Sequence, residues 1–581
     1  MFERIWQQLS RVTLGSCAAL LLVASTASAD DAAKDREIQE LKARQEQQAK
    51  QIESLQRMLQ NQRINISTES VEQIVADQLK AQDAKKAEEE AKKKKEAEAK
   101  GYEVGSDLKM TASWNNGLWI ESAQKDFRIH IGGYLQADAV WFQQPHNLRG
   151  APPGGALGLP GTSGIGIFDD GTFLRRVRWQ MEGNAWENWE FNMVYQGENV
   201  TRGVTFDEMW MGVRDLPLIG TVRAGHLKIP QGLESYSSSK FIEYIERGSV
   251  FDTFYSEFAT GIMATDSLLD QHMTWAAALY KNEIIFNQDG AAFGDGRFAA
   301  TGRVTALPIW EYEGRCMLHL GASFTYKTGD IDRLSNLPGT PIAGVFPVGV
   351  DTHDVIRFRT RPDLRDNIAD FAGGLQTTFA NNNRMIDTGN IISPYVMITG
   401  TELMFEWNGL DIQCEGTWAH MDHAFFPPVV FDGAVPGNVL HTRLQHVGSL
   451  DFWGGYASFG YFILPGRRTY DRRLGRYDRV VPDENFFLVR NTEDGSTHWG
   501  LGALEALVRF SYIDLNDKIV NGGLLASQTI GLNWHWNANS RLMANYFWAE
   551  RDVSAPPATR NVLRPTDGTL KGFGLQAAFD F

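Results

Sequence analysis

From Phe127 onward apolar side chains recur at every second position, and a period of two commits the chain to extended strands with two unlike faces. Between Phe127 and Phe142, Phe127, Ile129, Ile131, Gly133, Leu135, Ala137, Ala139 and Trp141 fall on one face. Arg128, His130, Tyr134, Gln136 and Asp138 fall on the other. The next segment sets Val177, Trp179 and Met181 against Arg176, Arg178, Gln180, Glu182 and Asn184. After a tight Glu187-Asn188 turn, Trp189, Phe191, Met193 and Tyr195 alternate with Glu190, Asn192 and Gln196. Near the end, Ile530, Leu532, Trp534 and Trp536 run into the turn Asn537-Ala538-Asn539-Ser540, from which Leu542, Ala544, Tyr546 and Trp548 return. The last strand places Phe573, Leu575, Ala577, Phe579 and Phe581 on one face, with Gln576 and Asp580 opposite.

Strands of this kind close in one of two ways. In a soluble sandwich the apolar face packs on a second sheet, whereas in a membrane barrel it meets lipid and the polar face lines the interior. Three features favour an all-β, antiparallel transmembrane barrel. Arg4 and Arg11 precede an apolar stretch from Val12 to Val23 and the small residues Ala27-Ser28-Ala29, the pattern of an export signal cleaved before Asp30. Aromatic residues stand at the ends of apolar faces, where interfacial girdles sit, and the last strand ends on an aromatic residue. Past the N-terminus no apolar run approaches the roughly 18 residues of a membrane helix. Long Gly- and Pro-rich connections such as Gln143 to Gly171 suit the cell exterior, and short turns the periplasm. A lipoprotein anchor at Cys17 is the weaker reading of the N-terminus, because apolar residues continue past it. A secreted lectin-like sandwich, drawing on 17 tryptophans, is the alternative for the body and would purify without detergent.

Residues 30–100 have a different texture, rich in Ala, Glu, Lys, Gln and Arg and without Pro or Gly, which is the composition of a long helix. Ile38, Ile52, Leu59 and Ile66 share one heptad core position and Leu41 and Leu55 the other, with Gln45, Gln48 and Gln62 in the remaining core sites. The expected organisation is a signal peptide over 1–29, a periplasmic coiled coil over 30–66, a charged helical spacer over 67–100, a linker over 101–126 and an outer-membrane barrel over 127–581. A single solvated helix is the alternative for the rod. Contact with the cell wall, tethering the outer membrane to it, is the structural role such a rod would suit.

A net charge of -15 excludes a nucleic-acid partner, since phosphate backbones attract basic proteins. Cys316 and Cys414 allow at most one bridge once Cys17 is removed with the signal. The sequence holds no nucleophile elbow, no Gly-rich phosphate loop opening a helix and no C-x-x-C pair, so neither an enzyme nor a cofactor is expected. His420 and His423 lie three apart and point to opposite faces of a strand, which makes them a poor metal pair.

The stretch from Ala224 to Phe254 is the most distinctive in the chain. Gly225-His226-Leu227-Lys228-Ile229-Pro230-Gln231-Gly232-Leu233-Glu234, then Ser237-Ser238-Ser239-Lys240, then Ile245-Glu246-Arg247, resembles the signature block of the phosphate-selective porins O and P. Ile131 to Gln136, Leu174-Arg175-Arg176-Val177-Arg178, Asp478 to Pro482, and Gly502 to Glu505 with Arg509-Phe510-Ser511 are similar to further stretches of that family, so the resemblance spans residues 127–581. It implies a homotrimer of roughly 16-stranded barrels in outer-membrane lipid. Each barrel would be a water-filled channel, narrowed by an infolded loop, in which basic residues guide small anions such as phosphate or polyphosphate. Where phosphate-binding members carry an arginine after the paired glycines of the first strand, this chain has Tyr134. Where they carry a lysine after the Gly-Leu-Glu triplet, it has Ser235. The paired arginines match at Arg175 and Arg176, the serine-lysine stretch matches at Ser238, Ser239 and Lys240, and Arg178 stands in place of a tyrosine.

The candidate solute-binding set follows from parity and from this resemblance. Arg176 and Arg178 share the polar face, and Arg175 can join them only through a bulge or a strand end. Arg297, Thr301 and Arg303 share one parity, opposed by Phe298, Ala300 and Val304. With Ser238, Ser239 and Lys240 these arginines form the expected lumen and constriction site, because guanidinium charge persists at any working pH and its planar donors match oxyanions in pairs. The same arginines could instead pair with wall carboxylates such as Glu182 and Asp207. The constriction loop, Gln231 to Phe254, mixes Lys240 and Arg247 with Glu234, Glu243, Glu246 and Asp252, which suits a general or weakly selective pore, and Glu246-Arg247 is expected to pin the loop to the wall. Six arginines between Arg467 and Arg479 read as a solvated or lipid-facing loop patch, with lipopolysaccharide phosphates as one partner.

Overall fold

Alternating faces, repeated many times along one chain, leave an apolar side and a polar side that a flat sheet cannot both satisfy; closure into a tube does so. A computed structural model describes residues 103–149, 165–197, 204–281, 298–328, 355–365, 384–389, 391–426, 430–431, 439–440, 445–490, 495–553 and 567–581. The signal peptide, coiled coil and spacer expected over 1–100, and Arg297, lie outside the described residues.

The barrel strands are β1 (Arg128–Gln143), β2 (Gly171–Ala185), β3 (Trp189–Gly197), β4 (Val204–Leu216), β5 (Gly220–Lys228), β6 (Phe258–Leu268), β7 (Met273–Lys281) and β8 (Phe298–Glu311). They continue with β9 (Cys316–Thr328), β10 (Tyr395–Trp407), β11 (Leu410–Phe426), β12 (Gln445–Leu464), β13 (Ala503–Asp517), β14 (Val520–Asn537), β15 (Ser540–Asp552) and β16 (Gly568–Asp580). Each pairs antiparallel with its sequence neighbours, and β16 returns to β1 with Lys571 opposite Gln143 and Asp580 opposite Tyr134, closing a 16-strand barrel. Ile129, Leu135, Trp141 and Trp179 stand exposed on the outside, and His130, Tyr134, Gln136 and Asp138 are buried inside. No helix among the described residues is long and apolar enough to cross a membrane.

One end of the barrel is closed by turns of two to four residues, among them Trp186–Asn188, Asn408–Gly409 and Ala538–Asn539. Left-handed backbone at Trp186, Glu187, Asn408 and Gly409 makes these reversals tight. Long connections leave from the other end, except for the two-residue turn Lys518–Ile519 between β13 and β14. The exception at the short-turn end is residues 465–502 between β12 and β13, which carry two hairpins of their own. Residues 110–122, expected as linker, also form a hairpin: Met110–Trp114 pairs with Leu118–Ser122, which in turn pairs with β1. Its turn holds Asn116 and Gly117 at positive φ, an Asn-Gly pair between two strands too short to show a clear period.

The interior departs from an open water-filled tube. On β8 and β9 the inward residues Thr301, Arg303, Thr305, His319, Ser323 and Thr325 are all 6% exposed or less, although polar. Three segments cover them and the rest of the lumen. From the long-loop end come residues 229–257 between β5 and β6, and residues 355–365, 384–389 and 391–392 between β9 and β10. From the short-turn end comes the hairpin Gly466–Asp471 with Arg476–Pro482. Toward the long-loop end the inward faces of β11–β15 are themselves apolar, and Met421, Phe452, Ile513 and Phe547 pack with Ile245, Phe251, Phe254, Phe358 and Leu364 of the insertions. Each such side chain contributes ~1.5–3 kcal/mol on burial, so the insertions are part of the fold. Partly exposed inward side chains gather on β2–β5, including Arg178, Gln180, Glu182, Gln196, Glu208 and Arg223.

Candidate functional site

The infolded loop owes its path to one glycine and one carboxylate. Gly232 has φ +137, and a Cβ there would come within 2.5 Å of Glu415 Oε2 and 2.9 Å of the Tyr255 ring. The short helix α1 (Leu233–Tyr236) begins directly after it, and the Leu233 and Glu234 amides donate to the Glu415 carboxylate of β11 at 3.0 and 2.7 Å. A carboxylate across the lumen thus satisfies the first free amides of a helix. Glu234 accepts the Gly248 amide at 2.9 Å and pairs with Arg509 of β13 at 3.3 Å, tying the loop's two arms together and to the wall. Gly232→Ala is expected to cost ~1–3 kcal/mol through backbone strain. In limited trypsinolysis, G232A should become cleavable after Lys240 while the barrel keeps its folded, heat-modifiable gel mobility.

Register on β2 brings the paired arginines together. Gln136 faces Arg176 and Ala137 faces Leu174, so Arg175 is the extra residue of a bulge and turns to the same side as Arg176. Both reach Glu246 of the loop, Arg175 through two nitrogens and Arg176 Nη2 at 3.1 Å, while Arg176 Nη1 donates to Gln136 at 2.8 Å. Arg365 of the second insertion approaches the same carboxylate at 3.7 Å. Burial pushes the Glu246 carboxyl up, and the guanidiniums of Arg175, Arg176 and Arg365 outweigh it, holding the group well below the usual carboxylate range. Asp252, on helix α2 (Ser249–Phe254), behaves alike: burial raises it, but Arg365 and Arg384, at 3.2 and 3.1 Å, bring it down to about 2.

A second bulge serves Arg178. Met193 faces Met209 and Tyr195 faces Phe206, which leaves Asp207 and Glu208 opposite Val194 alone. Asp207 forms an ion pair with Arg178, whose Nε donates to Gln196 at 2.7 Å and whose Nη1 donates to Ser239 Oγ at 3.2 Å. Tyr134 shares a 2.6 Å hydrogen bond with Ser239, and its ring lies under Arg178 and Lys240 at 5.5 and 6.0 Å. Lys240 donates to Gln180 at 3.3 Å, and no described carboxylate lies within ion-pair distance of it. Ser238 is half-buried beside it. Six of the expected residues, Arg175, Arg176, Arg178, Ser238, Ser239 and Lys240, therefore meet where the infolded loop crosses β1 and β2. Arg303 lies elsewhere, on β8, held bidentately by Glu402 at 2.7 and 2.8 Å.

The arginine-rich run 467–479 needs correction: it is neither a solvated patch nor lipid-facing. It folds into the lumen because four carboxylates await it. Arg468, 4% exposed, faces Glu243 of the infolded loop at 3.4 Å, Glu406 at 3.6 Å, Asp411 at 3.3 Å and Glu505 at 2.8 Å. At the hairpin's tip, Arg303 donates to the carbonyls of Leu474 and Gly475 at 3.2 and 2.7 Å. Arg476 donates to the Tyr236 carbonyl at 3.1 Å, so hairpin and infolded loop meet inside the barrel.

A narrowed barrel lined by charged side chains has the build of a channel, and its sequence decides the lineage. The family described as phosphate-selective porin O and P matches residues 169–342 and 376–580. The chain belongs to that family. An uncharacterized protein of Caulobacter vibrioides is 25% identical over 446 residues, 75% of this chain and 70% of that protein. Similar solved structures include OmpT, an outer membrane protein of Vibrio cholerae (TM-score 0.40, 9% identity, 82% of this chain and 100% of that one). They also include the outer membrane channel DcaP of Acinetobacter baumannii (0.40, 11%, 79% and 99%) and an anion-selective porin from Comamonas acidovorans (0.39, 8%, 78% and 99%).

This porin is an outer-membrane channel whose interior holds several residues that sequence reasoning passed over. Glu402 and Glu415 are invisible as partners because each lies more than 90 residues from the group it binds. Their signal is parity: both stand on polar faces of β10 and β11, two inward carboxylates opposite one another. Arg541 and Asn545 of β15 also point inward, with side-chain atoms that are buried and unpartnered.

Proposed function

We propose that this porin lets small anions such as phosphate or polyphosphate cross the outer membrane by passive diffusion, without catalysis. The short turns then face the periplasm, as does the N-terminal segment with its coiled coil over 30–66, and the barrels associate as homotrimers. The observation that carries the reading is Lys240: on the constricting loop, partly exposed, among Ser238, Ser239, Gln180 and Tyr134, it has no carboxylate at ion-pair distance among the described residues. A positive charge left unneutralised at a narrowing attracts anions and repels cations. A second reading, a general or weakly selective pore, draws on the pairing of Arg175, Arg176, Arg178 and Arg303 with carboxylates.

Reversal potential of the detergent-purified protein across a salt gradient, repeated with phosphate added, separates the two. Anion selectivity with block of the current by phosphate is the expected result. Weak or cation selectivity without block would leave a porin that does not select phosphate. No current at all would move the weight to a tether between outer membrane and cell wall.

A further inference from the structure

We propose that Arg541, with Lys240 and Arg479, forms an oxyanion-binding site at the short-turn end of the lumen, for a ligand that presents two oxygens side by side. The inference rests on the anion-channel reading and adds where the anion is held. A recess lies there between the infolded loop, the arginine hairpin and the β14–β15 turn, lined among others by Tyr134, Lys240, Arg479, Arg541 and Asp580. Arg541 points inward from the first turn of β15 and is 8% exposed, yet its Nε and Nη2 have no hydrogen-bond partner.

Those two nitrogens share one edge of the guanidinium. In Arg303 the same edge takes both oxygens of Glu402, at 2.7 and 2.8 Å. Arg541 has no carboxylate within 4 Å among the described residues. The acid lining the recess, Asp580, is engaged by Arg479 at 3.0 Å and Asn539 at 3.3 Å, and nearby Glu505 is engaged by Arg468 at 2.8 Å. The Lys240 ammonium, on the opposite side, donates among the described residues to Gln180 alone and lies over the Tyr134 ring. Three cations and one carboxylate thus line the recess, and the least compensated of the cations offers a planar pair of donors, the pattern that binds phosphate or a carboxylate in two parallel hydrogen bonds. A guanidinium buried without a counter-ion is costly, and a bound oxyanion offsets that cost.

The test is equilibrium binding to the detergent-purified full chain by titration calorimetry, with phosphate in one arm and succinate in the other over a chloride background. Wild type should bind one or both saturably, and the tighter one names the ligand. R541Q should weaken binding about tenfold or more, K240Q should weaken it less, and R541K, which keeps the charge but loses the paired edge, should fall between wild type and R541Q. Should R541Q not fold, as judged by heat-modifiable gel mobility, R541K and K240Q carry the comparison. Unchanged binding in the folded variants, or a wild type that binds neither oxyanion, overturns the site. Conductance is read separately: loss of binding in a variant that still conducts supports the site, and a wild type that binds but does not conduct overturns the channel reading alone.

Discussion

Arg468→Met is expected to release the arginine hairpin from the lumen and raise single-channel conductance several-fold. Arg468 is the cation that Glu243, Glu406, Asp411 and Glu505 share, at 2.8 to 3.6 Å. Removing one side of a buried ion pair costs ~3–5 kcal/mol, because the other side stays buried and uncompensated. The strain must be relieved somewhere, and the wall is locked by continuous ladders on both sides of every strand. The hairpin forms a separate two-stranded sheet joined to the wall by side chains: beyond Arg468 these include Arg303 on the Leu474 and Gly475 carbonyls, Arg476 on Tyr236, Arg479 on Asp580 and the Ala538 carbonyl, Tyr470 on His319, and Tyr477 packed on Leu233 and Met404. Local opening of the unit that no ladder joins to the wall is therefore the cheapest response. Trypsin should then cut after Arg472 or Arg473 in R468M and not in wild type. The neighbouring Arg467 pairs, among the described residues, with Glu313 at 3.1 Å, its own side chain a third exposed and that of Glu313 85% exposed, so R467Q should change neither readout. An R468M channel with wild-type conductance and a protected hairpin would show that the carboxylate cage does not hold it.

How far the chain could be read depended on whether a feature is local. Which residues of β1, β2 and β3 share a face is fixed by parity alone, and so is the need for a bulge or a strand end at Arg175, since two adjacent arginines cannot both face inward on a regular strand; the register shows the bulge. The infolded loop was legible only through the family resemblance of the block that holds its Gly-Leu-Glu triplet, and Gly232 is a glycine for a reason that the backbone explains. The filled interior was not legible as such. Carboxylates on the infolded loop, β10, β11 and β13 converge on Arg468 from 37 to 225 positions away in a chain numbered 243, 406, 411, 468 and 505, and only closure of the barrel makes them neighbours. One signal was available: Phe452-Trp453 on β12 and Tyr546-Phe547-Trp548 on β15 are apolar on consecutive residues, which marks strands buried on one face and lipid-exposed on the other. The run Arg467 to Arg479 misled for the opposite reason. Six arginines in thirteen residues look like a solvated loop, because charge is read as exposure until its partners are known.

The other large effect falls on the opposite insertion. Glu246→Gln is expected to unpin the infolded loop, widening the constriction and making the current more anion-selective. Glu246 accepts from Arg175 and Arg176 and lies 3.7 Å from Arg365, so one carboxylate balances charge on three guanidiniums from two separate parts of the fold. Glutamine keeps the shape and removes the charge, again at ~3–5 kcal/mol. Two consequences of opposite origin then add: the loop loses its strongest attachment to β2, and the matched arginines of the constriction lose the counter-charge that shields them from a passing ion. Reversal potential and conductance measured together should both shift. A conductance change alone would mean that Arg175 and Arg176 find other acids. The pH dependence has a definite sign. Because the Glu246 carboxyl is held below its ordinary value, its attachment is complete above that ordinary value of 4.5 and is lost only as pH falls through the depressed one. Wild-type conductance should therefore stay level between about pH 5 and 8 and approach that of E246Q only in strongly acidic solution. Opening already at mildly acidic pH would place the pin on some other group.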